Sequence, residues 1–182
     1  AKYTFAEGGE YTVLENCEIY SSGQTGVASG AELLMNGDSA TVRHCTIGSL
    51  ATVVTAARTN VLLTAGTAGA GLVSRDVVFE NCLLWLNSTS ATASHFHSTT
   101  ATDVERMFLI KDCAMVVAKN STATVGDAII CDATLTVGQI LVQNSYNYNS
   151  TALGTTGSVG IFYAGAPVAT AATAGNAIAV TD

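Results

Sequence analysis

A short motif recurs five times along the chain and constrains the fold more than any other feature of the sequence. Each copy has an apolar residue, then two polar residues, then a small residue that serves here as the anchor of the copy. The anchors are Cys17, Cys45, Cys82, Cys113 and Ser145. By subtraction, successive anchors lie 28, 37, 31 and 32 residues apart. A repeat of about 20–50 residues is typical of solenoids, propellers and arrays.

The residue types around the anchors predict short β-strands that meet at a corner. The segments are rich in Val, Ile, Phe and Thr and are bounded by Gly, Ser, Asn and Asp, which favours strands. In one straight strand, residues three apart point to opposite faces, yet Leu14 and Cys17 both have the character of interior side chains. Because Asn and Asp tolerate left-handed backbone, we expect the chain to bend directly before each anchor. The bend residues are Asn16, His44, Asn81, Asp112 and Asn144.

This succession of strand, tight polar bend and interior column resembles the right-handed parallel β-helix, the fold of pectate-lyase-like proteins and many phage virion proteins. The resemblance covers residues 10–165 and implies an all-β domain of about five coils, with a bend ladder and an interior cysteine column. Residues 1–9 would form an N-terminal arm, and the Ala- and Thr-rich residues 166–182 a C-terminal arm or cap. His44 and the irregular third copy depart from the pattern, which leaves the register of residues 85–105 open.

A second repeated segment predicts an apolar strand in each coil. Seventeen residues after four of the anchors stand Leu34, Leu62, Ile130 and Phe162, while the nearest candidate in the third copy is Phe96. The surrounding strands are apolar at consecutive positions, which indicates that both faces are covered. Monomers rarely expose so large an apolar patch, and we therefore expect a subunit interface. Its predicted residues are Leu33, Leu34, Met35, Val61, Leu62, Leu63, Ile129, Ile130, Ile161 and Phe162.

Charge, hydropathy and cysteine content limit the partners. The net charge is −7 with seven Lys plus Arg, too few cations for the basic stripe that nucleic acid requires. No apolar run reaches the roughly 18 residues of a membrane span, and the N-terminus does not have the pattern of a signal peptide. Five cysteines without a CxxC pair argue against a disulfide framework and a zinc site. We expect neither nucleic acid nor membrane as a partner.

Two sets of residues could carry chemistry, and each has a simpler explanation. Asp127 and Asp132 bracket the strand AIIC and could hold a cation or a sugar, but the preferred explanation is that they are solvated or turn-forming carboxylates. His95 and His97 are two apart, so in a strand they share a face and could bind a metal. The preferred explanation is that they are polar surface or interface residues. We predict no catalytic residue, no metal site and no cofactor, with the metal question at the two histidines left open.

The low charge, the Ala-, Thr- and Gly-rich loops and the apolar strands together resemble the decoration (cement) proteins on the heads of tailed bacteriophages. The resemblance implies a non-enzymatic homotrimer on the capsid exterior, made in the host cytoplasm, which binds the major capsid protein. One alternative is a phage tail-spike or tail-fibre module that binds host glycan through Trp85, Tyr146 and Tyr148. Another is a polysaccharide lyase or hydrolase.

Overall fold

The computed structural model describes residues 3–5, 11–20, 30–64, 74–118, 125–154 and 161–164. Within these residues the secondary structure consists of β-strands and contains no helix. The strands are β1 (Tyr3–Phe5), β2 (Val13–Glu15), β3 (Glu18–Ile19), β4 (Ala31–Met35), β5 (Thr41–Arg43), β6 (Thr46–Val54), β7 (Thr59–Leu63), β8 (Ser74–Glu80), β9 (Leu83–Ser88), β10 (Ser94–Ser98), β11 (Val104–Lys111), β12 (Ala114–Val117), β13 (Ile129–Cys131), β14 (Gly138–Gln143), β15 (Tyr146–Tyr148) and β16 (Ile161–Ala164).

The strands form three parallel sheets, stacked as a β-helix. Sheet 1 contains β1, β4, β7, β10 and β13, sheet 2 contains β2, β5, β8, β11, β14 and β16, and sheet 3 contains β3, β6, β9, β12 and β15. The chain visits sheets 2, 3 and 1 in rotation, so about four turns lie between Val13 and Cys131. This confirms the predicted parallel β-helix with one coil fewer. The fifth turn returns to sheet 1 only through a single bridge between Ile129 and Gly154.

The core lies inside the coils and is built from rows of side chains in register. In sheet 1, Leu33, Val61, Phe96 and Ile129 occupy one row, and all four are fully buried. Three phenyl rings, those of Phe79, Phe96 and Phe108, pack with centroids 5.3 to 5.8 Å apart at the centre. A slip of one residue would turn each row outwards, so these rows fix the register that the sequence left open in the third copy.

The predicted bend between sheets 2 and 3 is present in every coil. The five bend residues have φ between 45° and 55°, the left-handed region that Asn and Asp adopt most readily among non-glycine residues. Successive bends are also linked, because the backbone N–H of Asn16 donates to the carbonyl of Arg43, and that of His44 donates to the carbonyl of Glu80. The bend ladder is therefore a stack of hydrogen-bonded corners.

The anchors form the predicted interior column and hold the corner closed. Cys45, Cys82, Cys113 and Ser145 are buried, while Cys17 at the end of the stack is partly exposed. Each anchor donates to the carbonyl two residues before it, across the bend; the Cys45 thiol does so at 3.2 Å and the Ser145 hydroxyl at 2.9 Å. A small side chain with a donor is what this position requires, which explains why serine replaces cysteine in the last copy.

Burial suppresses the ionisation of two thiols of the column. None of the five cysteines is in a disulfide. Burial raises the pKa of the Cys45 thiol to about 11, and a hydrogen bond with Cys82 together with burial raises the pKa of Cys113. The same hydrogen bond lowers the pKa of Cys82. Because the thiolate is the nucleophile, the thiols of Cys45 and Cys113 are protonated and inert at neutral pH.

A second left-handed bend, where the chain enters sheet 2, was not predicted. Tyr11, Ser39, Asp76 and Arg106 have φ of 58°, 52°, 50° and 64°. The N–H of Ser39 donates to the carbonyl of Arg75 at 2.7 Å, so this corner is also hydrogen-bonded between coils. Tyr and Arg are not typical of left-handed backbone, and residue type therefore gave no signal here.

The last predicted apolar strand belongs to a different sheet from the one expected. Ile161 and Phe162 were grouped with Leu34, Leu62 and Ile130 because of the seventeen-residue spacing. In the structure β16 pairs with β14, so it extends sheet 2 and not sheet 1. The place beside β13 in sheet 1 is already taken by Gly154. The assignment of Ile161 and Phe162 to the predicted interface strand is therefore wrong.

Five more of the predicted interface residues face the core of their own chain. Side chains alternate along β4, β7 and β13, so the consecutive apolar residues are shared between the interior and the outer face. The side chains inside the coil are those of Leu33, Met35, Val61, Leu63 and Ile129, all fully buried. They cannot contribute to a subunit interface, and the prediction is corrected for these five.

The predicted terminal arms fall largely outside the described residues. Tyr3–Phe5 forms β1 and pairs with β4 at the end of sheet 1. Residues 166–182 lie outside the described residues altogether.

Candidate functional site

The outer face of sheet 1 carries a row of side chains that are neither core nor fully exposed. Leu34, Leu62, His97 and Ile130 lie in register on adjacent strands, and each is partly buried. We call these four residues the outer row of sheet 1. The predicted interface residues that lie neither in the core nor in sheet 2 are Leu34, Leu62 and Ile130, and all three belong to this row.

The outer row contains one ionisable side chain, and that side chain has a partner. The Nε2 atom of His97 lies 3.0 Å from the Oδ2 atom of Asp132, just beyond the end of β13. Asp127 lies at the other end of β13, and burial raises the pKa of its carboxyl group. The two carboxylates that the sequence singled out are therefore separated by the strand and do not converge on one pocket.

A second row on sheet 1 is polar and buried. Glu32, Asn60 and His95 precede the core residues of β4, β7 and β10, and their exposed fractions are only 6%, 3% and 0%. We call them the polar row. They lie near the start of the sheet 1 strands and against sheet 3, because Asn60 Nδ2 donates to the carbonyl of Trp85 in β9 (3.1 Å). Residues of sheet 3 thus cover side chains that would otherwise point outwards.

The polar row is only partly satisfied. Arg58 Nη2 donates to Glu32 Oε1 at 3.2 Å, and Asn60 Nδ2 lies 3.0 Å from His95 Nδ1. Because an amide nitrogen can only donate, His95 Nδ1 accepts and the ring proton is on Nε2. Neither His95 Nε2 nor Glu32 Oε2 has a hydrogen-bond partner among the described residues. Such buried atoms are uncommon in folded proteins and call for an explanation.

Burial decides the charge state of His95. It lowers the pKa of this imidazole from 6.5 to about 3, so the ring is neutral near pH 7. His95 faces Asn60, whereas His97 lies beside Asp132, so the two histidines have separate partners. Within the described residues, no group of three or more His, Cys, Asp or Glu side chains is arranged to hold a metal ion.

A small pocket opens beside the polar row. It encloses about 280 Å³ including its open mouth, and about 20 Å³ of it is accessible to the centre of a water molecule. Its lining residues are Glu32, Gly48, Ser49, Thr52, Val54, Arg58, Asn60, Trp85 and Leu86. The enclosed part has room for about one water or one hydroxyl group.

The outer face of sheet 3 continues from this pocket as a partly aromatic row. Gly48 pairs with Trp85, Trp85 with Val116, and Val116 with Tyr148. Trp85 and Tyr148 are therefore two strands apart, about 10 Å along the stack. Tyr146, the third aromatic residue singled out in the sequence, lies on the neighbouring row beside Ala114 and is exposed.

The outer face of sheet 2 differs from those of sheets 1 and 3, because its charged side chains pair with one another. Arg43 Nε lies 3.0 Å from Glu15 Oε1, and Lys111 Nζ lies 2.6 Å from Glu80 Oε1, each between adjacent coils. These ladders flank a mostly apolar row, called here the apolar row of sheet 2. It contains Val13, Thr41, Val78, Leu109 and Leu141, and Phe162 pairs with Leu141 at its end. Every Lys and Arg in the described part of the chain has a carboxylate within ion-pair distance.

The comparisons with known proteins found no match. No family model, no curated protein and no solved structure is similar to this chain at the level required of a significant match. A search of the described residues for a helix long and apolar enough to cross a membrane also gave none.

Sequence reasoning named His95 but missed its neighbours in the polar row. The signal was present, because a polar residue stands directly before the core residue of each sheet 1 strand in ELLM, NVLL and HFHS. It becomes visible only when Phe96 is aligned with Val61 rather than Leu62, as the strand pairing requires.

Proposed function

We propose that this chain is a structural protein that assembles with copies of itself through the outer row of sheet 1. The observation that carries the proposal is the row itself, in which Leu34, Leu62 and Ile130 lie in register and remain partly exposed. Apolar surface that stays in water gains free energy when a partner covers it.

The contrast with sheet 2 supports sheet 1 as the contact surface. Interface cores are depleted in charged residues. The outer face of sheet 2 carries ladders such as Glu15–Arg43 and Glu80–Lys111, whose long side chains can cover the apolar row with their stems and keep their charged ends in water. The outer row of sheet 1 has a single charged pair, His97–Asp132, in which His97 lies between Leu62 and Ile130.

In its specific form, the proposal is a homotrimer that decorates a tailed-phage capsid. Support comes from the resemblance of a compact parallel β-helix to cement proteins and from the stiffness of a coil stack that is hydrogen-bonded at each corner. The mechanism is mechanical: a rigid trimer bound across neighbouring copies of the major capsid protein buries extra area at their joints and resists internal pressure. The protein works outside the capsid and catalyses nothing.

Self-association is tested by the solution mass of two matched variants. Leu62→Glu introduces a charge in the middle of the outer row of sheet 1, and Leu109→Glu introduces the same charge in the middle of the apolar row of sheet 2. Both leucines are partly buried on outer faces. We expect Leu62→Glu to reduce a trimer to monomers and Leu109→Glu to leave it intact. Equal behaviour of the two variants would contradict the assignment of the interface.

Capsid decoration is tested by adding the purified protein to heads of the encoding virus that lack their decoration protein. We expect the protein to sediment with the heads and to raise their melting temperature, and the Leu62→Glu variant to do neither. Heads whose heat resistance does not change on addition of wild-type protein would rule out this form of the proposal while leaving self-association standing.

A further inference from the structure

One of the buried groups in the described structure that lack a hydrogen-bond partner is the carboxylate of Glu32. Only 6% of the surface of Glu32 is exposed. Of its two carboxylate oxygens, only Oε1 has a partner, the guanidinium of Arg58. Oε2 has none, and Glu32 lines the pocket. A buried acceptor without a donor is unfavourable. The folded chain therefore offers a strong acceptor to whatever enters the pocket.

The chemistry around Oε2 selects a neutral donor. Arg58 already balances the charge of Glu32 with an ion pair at 3.2 Å, so a cation in the pocket would add an unbalanced charge in a poorly hydrated site. The other polar lining residues are uncharged: Ser49, Thr52 and Asn60. Hydroxyl and amide groups beside one carboxylate oxygen match the alternating donors and acceptors of a polyol.

The shape of the pocket fits one inserted hydroxyl on a larger molecule. The enclosed part holds about one water-sized group, and the rest of the pocket is open to solvent, so a larger molecule would lie mostly outside it. Trp85 lines the pocket, and the row from Trp85 to Val116 and Tyr148 continues from it along the outer face of sheet 3. Aromatic side chains present apolar faces with a polar edge, which suits the mixed surface of a sugar.

We propose that this pocket binds a neutral saccharide, one hydroxyl of which donates to Glu32 Oε2 while the rest of the molecule lies against the row from Trp85 to Tyr148. This goes beyond the structural role proposed above and does not depend on it, because the pocket lies at the junction of sheets 1 and 3 and not on the outer row of sheet 1. The same trimer could thus carry three saccharide sites.

The test is a titration with defined sugars, followed through the one tryptophan of the chain and by calorimetry. The probes are glucose, galactose, mannose, maltose, lactose and cellobiose, each raised to about 100 mM because a site this small binds in the millimolar range. Glucosamine serves as a cationic probe. We expect at least one neutral sugar to change the emission of Trp85 with saturation. A flat titration for all neutral sugars would show that the pocket holds only water and would overturn the proposal, as would saturation by glucosamine alone.

Three variants then locate the site. Glu32→Gln should weaken binding at least about tenfold, because it replaces the charged acceptor by a neutral amide. Thr52→Val should also weaken binding but leaves the pair of Glu32 with Arg58 in place, which keeps the test valid if Glu32→Gln folds poorly. The control is Glu105→Gln, which also removes a carboxylate paired with an arginine, Arg75, but on the sheet 2 side. Binding that is equally strong in Glu32→Gln, Thr52→Val and wild type would contradict the assignment.

Discussion

The sheet 2 side and the sheet 1 side of this β-helix are built on opposite principles. On the sheet 2 side each coil repeats the same solution, with a left-handed residue at the bend, an anchor that donates across it and charges that pair between coils. On the sheet 1 side each coil differs, and the polar row changes from Glu32 to Asn60 to His95. Repetition is what stacking needs, whereas unsatisfied groups in an otherwise consistent structure tend to mark function.

The largest effect that would sharpen this contrast is expected at Gly48, beside the polar row. Its φ is +88°, and a Cβ atom there would lie 2.0 Å from the carbonyl oxygen of Trp85 and 2.5 Å from Asn60 Oδ1. Gly48→Ala should lower the free energy of unfolding by about 3 kcal/mol through strain and overpacking. Urea denaturation measures it, and Ser49→Ala, one residue along, should change it by less than about 1 kcal/mol. A tolerated Gly48→Ala would mean that the junction of sheets 1 and 3 is looser than described.

The next effect is a pH dependence that originates on the sheet 1 side. Burial lowers the pKa of His95 to about 3. Between pH 6.5 and 3, His95 is therefore protonated in the unfolded chain but neutral in the folded chain. Stability is therefore full above pH 6.5 and falls as the pH drops towards 3, by about 2 kcal/mol between pH 6.5 and 5. His95→Gln should flatten this slope, whereas His44→Gln, at an exposed bend, should not. Identical slopes in wild type and His95→Gln would show that His95 is not the source.

On the sheet 2 side, a substitution at a single bend should destabilise the fold less than the changes described for the sheet 1 side. Asn81 is exposed and has φ of 52°, so its side chain contributes little packing. Asn81→Ala should destabilise the fold by about 1 kcal/mol, because alanine adopts left-handed backbone less readily. Asn81→Gly should be close to neutral, since glycine has no Cβ penalty there. If both variants lose the same stability, the amide side chain and not the backbone conformation makes the bend.

The smallest effect is expected at the charge ladder. Lys111 lowers the pKa of Glu80, mainly through their hydrogen bond, so the pair stabilises the fold above the ordinary carboxyl pKa of 4.5 and loses this contribution as the pH falls below it. Exposed pairs of this kind contribute little. Lys111→Met should therefore leave the melting temperature at pH 7 unchanged within the error of the measurement. A clear decrease in the melting temperature would show that the ladder stabilises the fold more than we expect.

The sequence predicted the repeating side well and the irregular side poorly. The roles of Asn81 at the bend and Cys82 in the interior column could be predicted, because the same residue types recur in each copy of the motif and suit only these positions. Leu33 and Leu34 could not be separated into core and surface, because consecutive apolar residues carry no alternation. The burial of Glu32 could not be predicted, because it depends on Arg58 and on residues of sheet 3, which only the register of the coils brings to it. The same holds for Ile161, whose sheet is decided by the bridge at Gly154.

The solution mass of the wild-type chain, measured by size-exclusion chromatography with light scattering, tests most directly whether the sheet 1 side is a contact surface. The account predicts three times the 18.6 kDa of one chain, and the mass should fall to that of a single chain in Leu62→Glu. A wild-type protein that remains a monomer at all accessible concentrations would contradict it.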